Sequence, residues 1–154
     1  MGFDGVGSRL VLPVEAVPHG AEYALEFEIM PDTADNQMQL RTRYVGGKDC
    51  GLVVTVEDGT VRVSHFGILL VPRHYDTTAP LIPKRWNRIR IEKRYEKIVC
   101  TVNGKSKSFG YDRRALRFGP VTFGNDTTPG PGIPPGVKAF KGLLRFLRVC
   151  HAVD

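Results

Sequence analysis

A chain of 154 residues with 42% hydrophobic and 25% charged residues is long enough to bury one core and too apolar to remain disordered. Its formal net charge of +6 favours contact with polyanions and is silent on fold. Three cysteines, Cys50, Cys100 and Cys150, with no C-x-x-C pair, exclude a disulfide framework and a zinc-ribbon site.

The opening "MGFDGVGSRLVLP" lacks a basic stretch followed by an apolar one, so no signal peptide is visible. Val6 stands where a myristoylation signal carries Ser or Thr. No apolar run approaches the ~20 residues that cross a bilayer. The chain therefore reads as cytoplasmic, or as a domain excised from a longer protein with a leader.

The clearest pattern along the chain is alternation. In "EYALEFEIM", Tyr23, Leu25, Phe27 and Ile29 share one face and Glu22, Glu26 and Glu28 the other. In "NQMQLRTRYV", Met38, Leu40, Thr42 and Tyr44 oppose Gln37, Gln39, Arg41 and Arg43. Period-2 alternation predicts half-buried antiparallel strands. "GLVVTVEDGTVRVSHFG" predicts two strands around Asp58-Gly59, a pair that tolerates the positive φ angles of a tight hairpin. "VPRHYDTTAPLIP" contains three prolines, which cannot donate ladder hydrogen bonds, and predicts a long loop or an edge.

Residues 84–105, "KRWNRIRIEKRYEKIVCTVNGK", hold the only tryptophan and a dense group of cations. They predict a strand with Ile89 and Ile91 on one side and Arg88, Arg90 and Glu92 on the other. A second hairpin turns at Asn103-Gly104. "GPVTFGN" and "FKGLLRFLRVCHA" give two further strands across an irregular proline-glycine loop. Nine to eleven strands without βαβ alternation predict an all-β sandwich or barrel in a single domain covering 1–154.

The order of these features resembles the laminin-G-like and concanavalin A-like lectin-glucanase superfamily. "YALEFEIMP" looks like its first long strand, and "RWNRIRIEK" followed by "IVCTVNGK" like its tryptophan strand and Val-Asn-Gly-Lys hairpin. "FKGLLRFLRV" looks like its closing strand, with Gly142 placed to permit a bulge. The resemblance runs from about Leu10 to Val149 and implies an antiparallel jelly-roll β-sandwich. It implies no single function, because such folds include lectins, glycosidases, lyases and adhesive modules.

Each activity requires particular residues. A glycosidase needs two carboxyl groups roughly 5–5.5 Å or 6.5–9.5 Å apart. Glu26 and Glu28 could stand roughly 6–7 Å apart on one strand, but "EFE" lacks the intervening Asp and third acid of the sandwich glucanases. A glycan site is better supplied: if the early strands pair, Glu26, Glu28, Gln37, Gln39, Arg41 and Arg43 line one sheet surface, with Tyr75 or Trp86 as the aromatic platform. "PRHYDTT" offers His74, Tyr75 and Asp76 in a predicted loop. His19, His65 and His151 show no metal spacing. The resemblance makes Ca²⁺ the candidate cofactor, with Asp32, Asp35 and Asp126 as oxygen ligands beside Asn36 and Asn125. Arg88, Arg90, Lys93 and Arg94 form a candidate polyanion surface, with Lys84, Arg85 and Lys97 adjoining. The aromatic interleaving of a nucleic-acid platform is missing.

These observations favour a non-catalytic carbohydrate-binding or adhesion module of a larger extracytoplasmic protein. Its expected partner is a glycan, acidic or sulfated, or another protein. The alternatives are a sandwich glycoside hydrolase or polysaccharide lyase, and a purely structural interaction domain. Exposed sheet edges also leave room for a homo-oligomer.

Overall fold

The structure is a computed structural model, and it describes residues 1–13, 22–42, 51–66, 72–94, 96–110, 120–125 and 135–150. Thirteen strands run through these residues. They are β1 (Gly2–Asp4), β2 (Arg9–Leu12), β3 (Tyr23–Pro31), β4 (Gln37–Thr42), β5 (Gly51–Glu57), β6 (Thr60–Phe66) and β7 (Pro72–Pro80). The remainder are β8 (Asn87–Arg94), β9 (Lys97–Val102), β10 (Lys105–Gly110), β11 (Val121–Gly124), β12 (Lys138–Ala139) and β13 (Lys141–Cys150).

Two sheets result. One has six strands in the order β1-β13-β3-β8-β9-β10; the other runs β2-β11-β4-β5-β6-β7, with β12 added in parallel to β4. This is the antiparallel jelly-roll sandwich. The expected count fell short because β1, β2 and β12 are two to four residues long, too short to show a period. β7 forms the edge of its sheet, where terminal prolines leave no interior ladder bond unmade.

The alternation resolves as expected into an apolar layer between the sheets. Leu25, Phe27 and Ile29 of β3 and Ile89 and Ile91 of β8 meet Leu40 of β4, Leu52, Val54 and Val56 of β5 and Val61 and Val63 of β6. Phe123 lies at the centre of an aromatic cluster, with ring centroids 5.2 Å from Phe3, 5.7 Å from Phe27 and 5.4 Å from Phe140. Both hairpins turn where the sequence places them: Asp58 and Gly59 have φ of 48° and 75°, and Asn103 and Gly104 have 50° and 80°. These pairs of positive φ suit the right-handed twist of the strands they join.

Gly142 serves a different purpose from the expected bulge. Its φ is 146°, and a Cβ there would collide with the Met30 carbonyl oxygen. The glycine thus admits the close approach of β13 to β3. The register shift comes later, between Leu144 and Phe146, and makes Arg145 the extra residue.

Cys100 is a free thiol buried in the core, and burial pushes its pKa up to about 12. Cys50 and the side chain of Cys150 lie outside the described residues.

Candidate functional site

The early strands do not pair with each other, which corrects the expected polar surface. β3 lies between β13 and β8, whereas β4 lies in the opposite sheet between β11 and β5. Glu26 and Glu28 are therefore separated from Gln37 and Arg41 by the core. Gln37 is buried: its Nε2 donates to the Thr33 carbonyl at 3.1 Å and to Thr33 Oγ1 at 2.8 Å, and its Oε1 accepts the Lys141 N–H at 3.2 Å. Arg41 is fully buried on the β4 face that it shares with Val53 and Ser64, both also buried. Gln37 and Arg41 hold the fold together and are closed to a ligand. Gln39 stands in β4 with its side chain outside the described set, and Arg43 lies outside the described residues.

Tyr75 is likewise no platform. It points inward from β7 and packs 5.0 Å from the Phe109 ring. Its neighbours do face outward, with His74 Nδ1 bonded to Ser64 Oγ at 2.8 Å and Asp76 bonded to Arg62. His65 has its side chain outside the described set, and His19 and His151 lie outside the described residues.

The polar groups that do converge lie on the outer face of the six-stranded sheet. The register places Glu28 between Arg88 of β8 and Phe146 of β13, and Glu26 between Arg90 and Arg148. The Glu26 carboxylate is almost wholly buried, yet it pairs with Arg88 on one side and lies 3.5 Å from Arg90 on the other. Glu92 accepts from Arg90 at 2.6 Å and from Arg94 at 3.4 Å, and the Arg90 bond is the main force holding its pKa below the usual carboxylate value. Glu28 pairs with Arg145 at 3.0 Å.

Aromatic rings brace the same arginines. The Arg145 guanidinium lies 4.1 Å from the Trp86 centroid, and Phe146 has Arg148 at 5.0 Å and Arg88 at 6.0 Å. Carboxylates beneath and rings beside fix the arginine heads while leaving their outer edges in water. Arg88 keeps 63% of its side chain exposed. Arg148 pairs with no carboxylate among the described residues.

Three of the four expected polyanion residues stand here: Arg88, Arg90 and Arg94. The fourth, Lys93, does not. It falls on the opposite parity of β8 and is fully buried on the core side, opposite Tyr23. Strand geometry holds to the end of β8 and carries Lys93 inward instead of into the turn.

Nothing local in the sequence marks Arg145, Arg148 and Phe146 as members of this face. They join the face only through the β13–β3 register and its bulge. The apolar-basic "LLRFLR" gave no local sign of which side would face outward. Trp86, the other candidate platform, is 37% exposed with Arg145 over its ring.

Of the expected calcium ligands, Asp32 and Asp35 are described. Asp32 is exposed with the Lys141 ammonium 3.8 Å away. Asp35 lines a separate open cleft of about 540 Å³ with Asn36, Asp58 and Lys138. Asp126 lies outside the described residues, and among those described no cluster of three or more His, Cys, Asp or Glu could hold a metal. Asp32 and Asp35 alone do not make a site for the ion.

No family model matches the chain, and no curated protein matches it. Solved structures do. The laminin α1 chain of mouse, domains LG4-5, superposes with a TM-score of 0.79 at 14% identity over 96% of this chain and 40% of that one. Domain 4 of AbnA, an extracellular arabinanase from Geobacillus stearothermophilus in complex with arabinotriose, gives 0.69 at 17% identity, covering 97% of this chain and 69% of that one. The ligand-binding domain of botulinum neurotoxin serotype D in complex with N-acetylneuraminic acid gives 0.67 at 12% identity, covering 95% and 37%. The chain has the laminin-G-like, concanavalin A-like fold, and it spans less than half of the laminin fragment. Among the described residues no helix is long and apolar enough to cross a membrane.

Proposed function

We propose that the protein is a non-catalytic carbohydrate-binding or adhesion module, acting outside the cytoplasm as part of a larger protein and binding acidic glycans on the outer face of its six-stranded sheet. The observation that carries this reading is the arginine array of Arg88, Arg90, Arg94 and Arg148, whose heads are held in place by Glu26, Glu92 and Phe146. An exposed guanidinium offers a planar fork of N–H donors that matches a carboxylate or sulfate, and bracing lowers the ordering cost of binding one. Thr101 and Ser106, whose hydroxyls bond at 2.8 Å beside Arg90, add groups suited to sugar hydroxyls. Similarity to an arabinanase domain bound to arabinotriose, to a toxin domain bound to N-acetylneuraminic acid and to laminin domains lends support.

Glu26 and Glu28 do not suit glycoside cleavage, since each is committed to arginine. A glycan-array screen, with neutral, carboxylated and sulfated ligands at low and high salt, tests the reading. Retention of acidic glycans that is lost in the double variant Arg88→Ala, Arg148→Ala is the expected result. No retention under any condition leaves a purely structural module as the better account.

A further inference from the structure

The arginine array ends at one edge in a surface of different character. Residues 82–86, Ile-Pro-Lys-Arg-Trp, are all exposed between β7 and β8. Ile82 is 44% exposed and Trp86 37%, while Leu143 on the outer face of β13, opposite Met30, is 39% exposed. Asn87 pairs with Ile29 and Leu143 with Met30, so Trp86 and Leu143 flank the same end of β3, and exposed apolar groups that share one patch mark an interaction site.

The segment is held in one shape. The Asn87 amide donates to the carbonyls of Ile82 at 2.8 Å and Arg85 at 2.7 Å, while its oxygen accepts the Ile82 N–H at 2.9 Å. Asn103 donates to that same oxygen at 2.9 Å, fastening the segment to the next hairpin. Lys84 adopts a φ of 56°, costly for a side chain with a Cβ, and its N–H donates to the Pro31 carbonyl at 2.7 Å. A fully buried asparagine thus fixes an exposed loop in which Ile82 and Trp86 are presented with little freedom left to lose.

Charge states what the surface fits. Lys84, Arg85, Lys141 and Arg145 surround the apolar groups, and the carboxylates nearby, Asp32 and Glu28, are engaged by Lys141 and Arg145. The Trp86 ring already carries the Arg145 guanidinium over it at 4.1 Å. A tryptophan capped by arginine is the residue mixture that dominates protein interfaces, and it does not offer the bare ring that stacks on a sugar.

We infer that the Ile82–Trp86 loop and Leu143 form a docking surface for an acidic, apolar-centred segment of a partner protein, adjoining the glycan face but independent of it. Trp86 is the only tryptophan, so its emission reports occupancy directly. The test titrates the full chain with a 12-residue peptide alternating Glu with Leu and Phe, with the same peptide carrying Lys in place of Glu, and with vesicles of anionic phospholipid. The acidic peptide is expected to shift the emission to the blue and protect it from acrylamide, with at least tenfold weaker binding in Arg85→Glu and in Leu143→Asp. Both substituted residues are exposed, and cooperative unfolding of each variant is checked first.

Absence of a shift with the acidic peptide, an equal response to the Lys peptide, or a response to vesicles alone overturns the inference. A sulfated tetrasaccharide that binds without moving the Trp86 emission upholds the glycan reading whatever the peptides do, so the two can fail separately.

Discussion

β4 and β8 look alike in sequence and behave in opposite ways. "QMQLRT" and "NRIRIEKR" both alternate polar with apolar residues, and both carry arginine on the polar parity. In β8 that parity faces water, where Arg88 is largely exposed. In β4 it carries Arg41, which is fully buried beside Val53 and Ser64. Alternation tells which residues share a face. It does not tell whether the second face is open, because that depends on what the rest of the chain lays across it.

This comparison can be broken most forcefully at Arg41. Truncation of a buried arginine leaves both a cavity and stranded partners, so Arg41→Ala is expected to cost about 2–5 kcal/mol by denaturant unfolding. Arg88→Ala and Arg148→Ala are expected to cost under about 1 kcal/mol, since both side chains are exposed, Arg90 still faces Glu26 when Arg88 is gone, and Arg148 has no carboxylate to lose among the described residues. Similar losses at Arg41 and Arg88 would show that the two faces are not different in kind. Glu26→Gln sharpens the point from beneath the array. A neutral amide cannot balance Arg88 and Arg90, so a loss of about 1–3 kcal/mol and weaker acidic-glycan binding are expected together.

A smaller effect is expected from acid. The folded pKa of Glu92 is depressed, chiefly by its bond from Arg90, and that of Asp76 chiefly by its bond from Arg62. Their stabilisation is present above the ordinary carboxylate values of 4.5 and 3.8 and is lost as pH falls through the lower folded values. Urea midpoints should hold level above about pH 5 and decline below the carboxylate range, and the decline should be shallower in Glu92→Gln.

The least perturbing check is chemical. With its pKa near 12, the Cys100 thiol should resist alkylation at pH 8 in the folded chain and react fully in denaturant, read by peptide mass spectrometry at that residue.

Much of the fold was legible because its signals are local. Asp58-Gly59 and Asn103-Gly104 state their turns within two residues, and Phe27 and Ile89 state their faces by parity. Which strands are neighbours is set by pairings tens of residues apart, so nothing near Glu28 or Gln37 indicated that the core would lie between them. The site was half legible for the same reason. Arg88, Arg90 and Arg94 stand on one strand and announce themselves together. Arg145 and Arg148 arrive from β13, on the far side of β3, and the bulge that turns Arg145 toward Trp86 depends on that pairing. Lys93 went astray because a cluster of cations suggested solvent more strongly than its position in the alternation suggested the core.

The most direct test of the central claim is a ¹⁵N–¹H titration of the chain with a heparin-derived tetrasaccharide, following backbone amides in both sheets. Shifts gathered at Arg88, Arg90, Thr101 and Arg148, with β4 and β5 unmoved, are the predicted result. Shifts centred on Gln37–Thr42, or on the cleft of Asp35, Asp58 and Lys138, would place the binding site elsewhere and contradict the account.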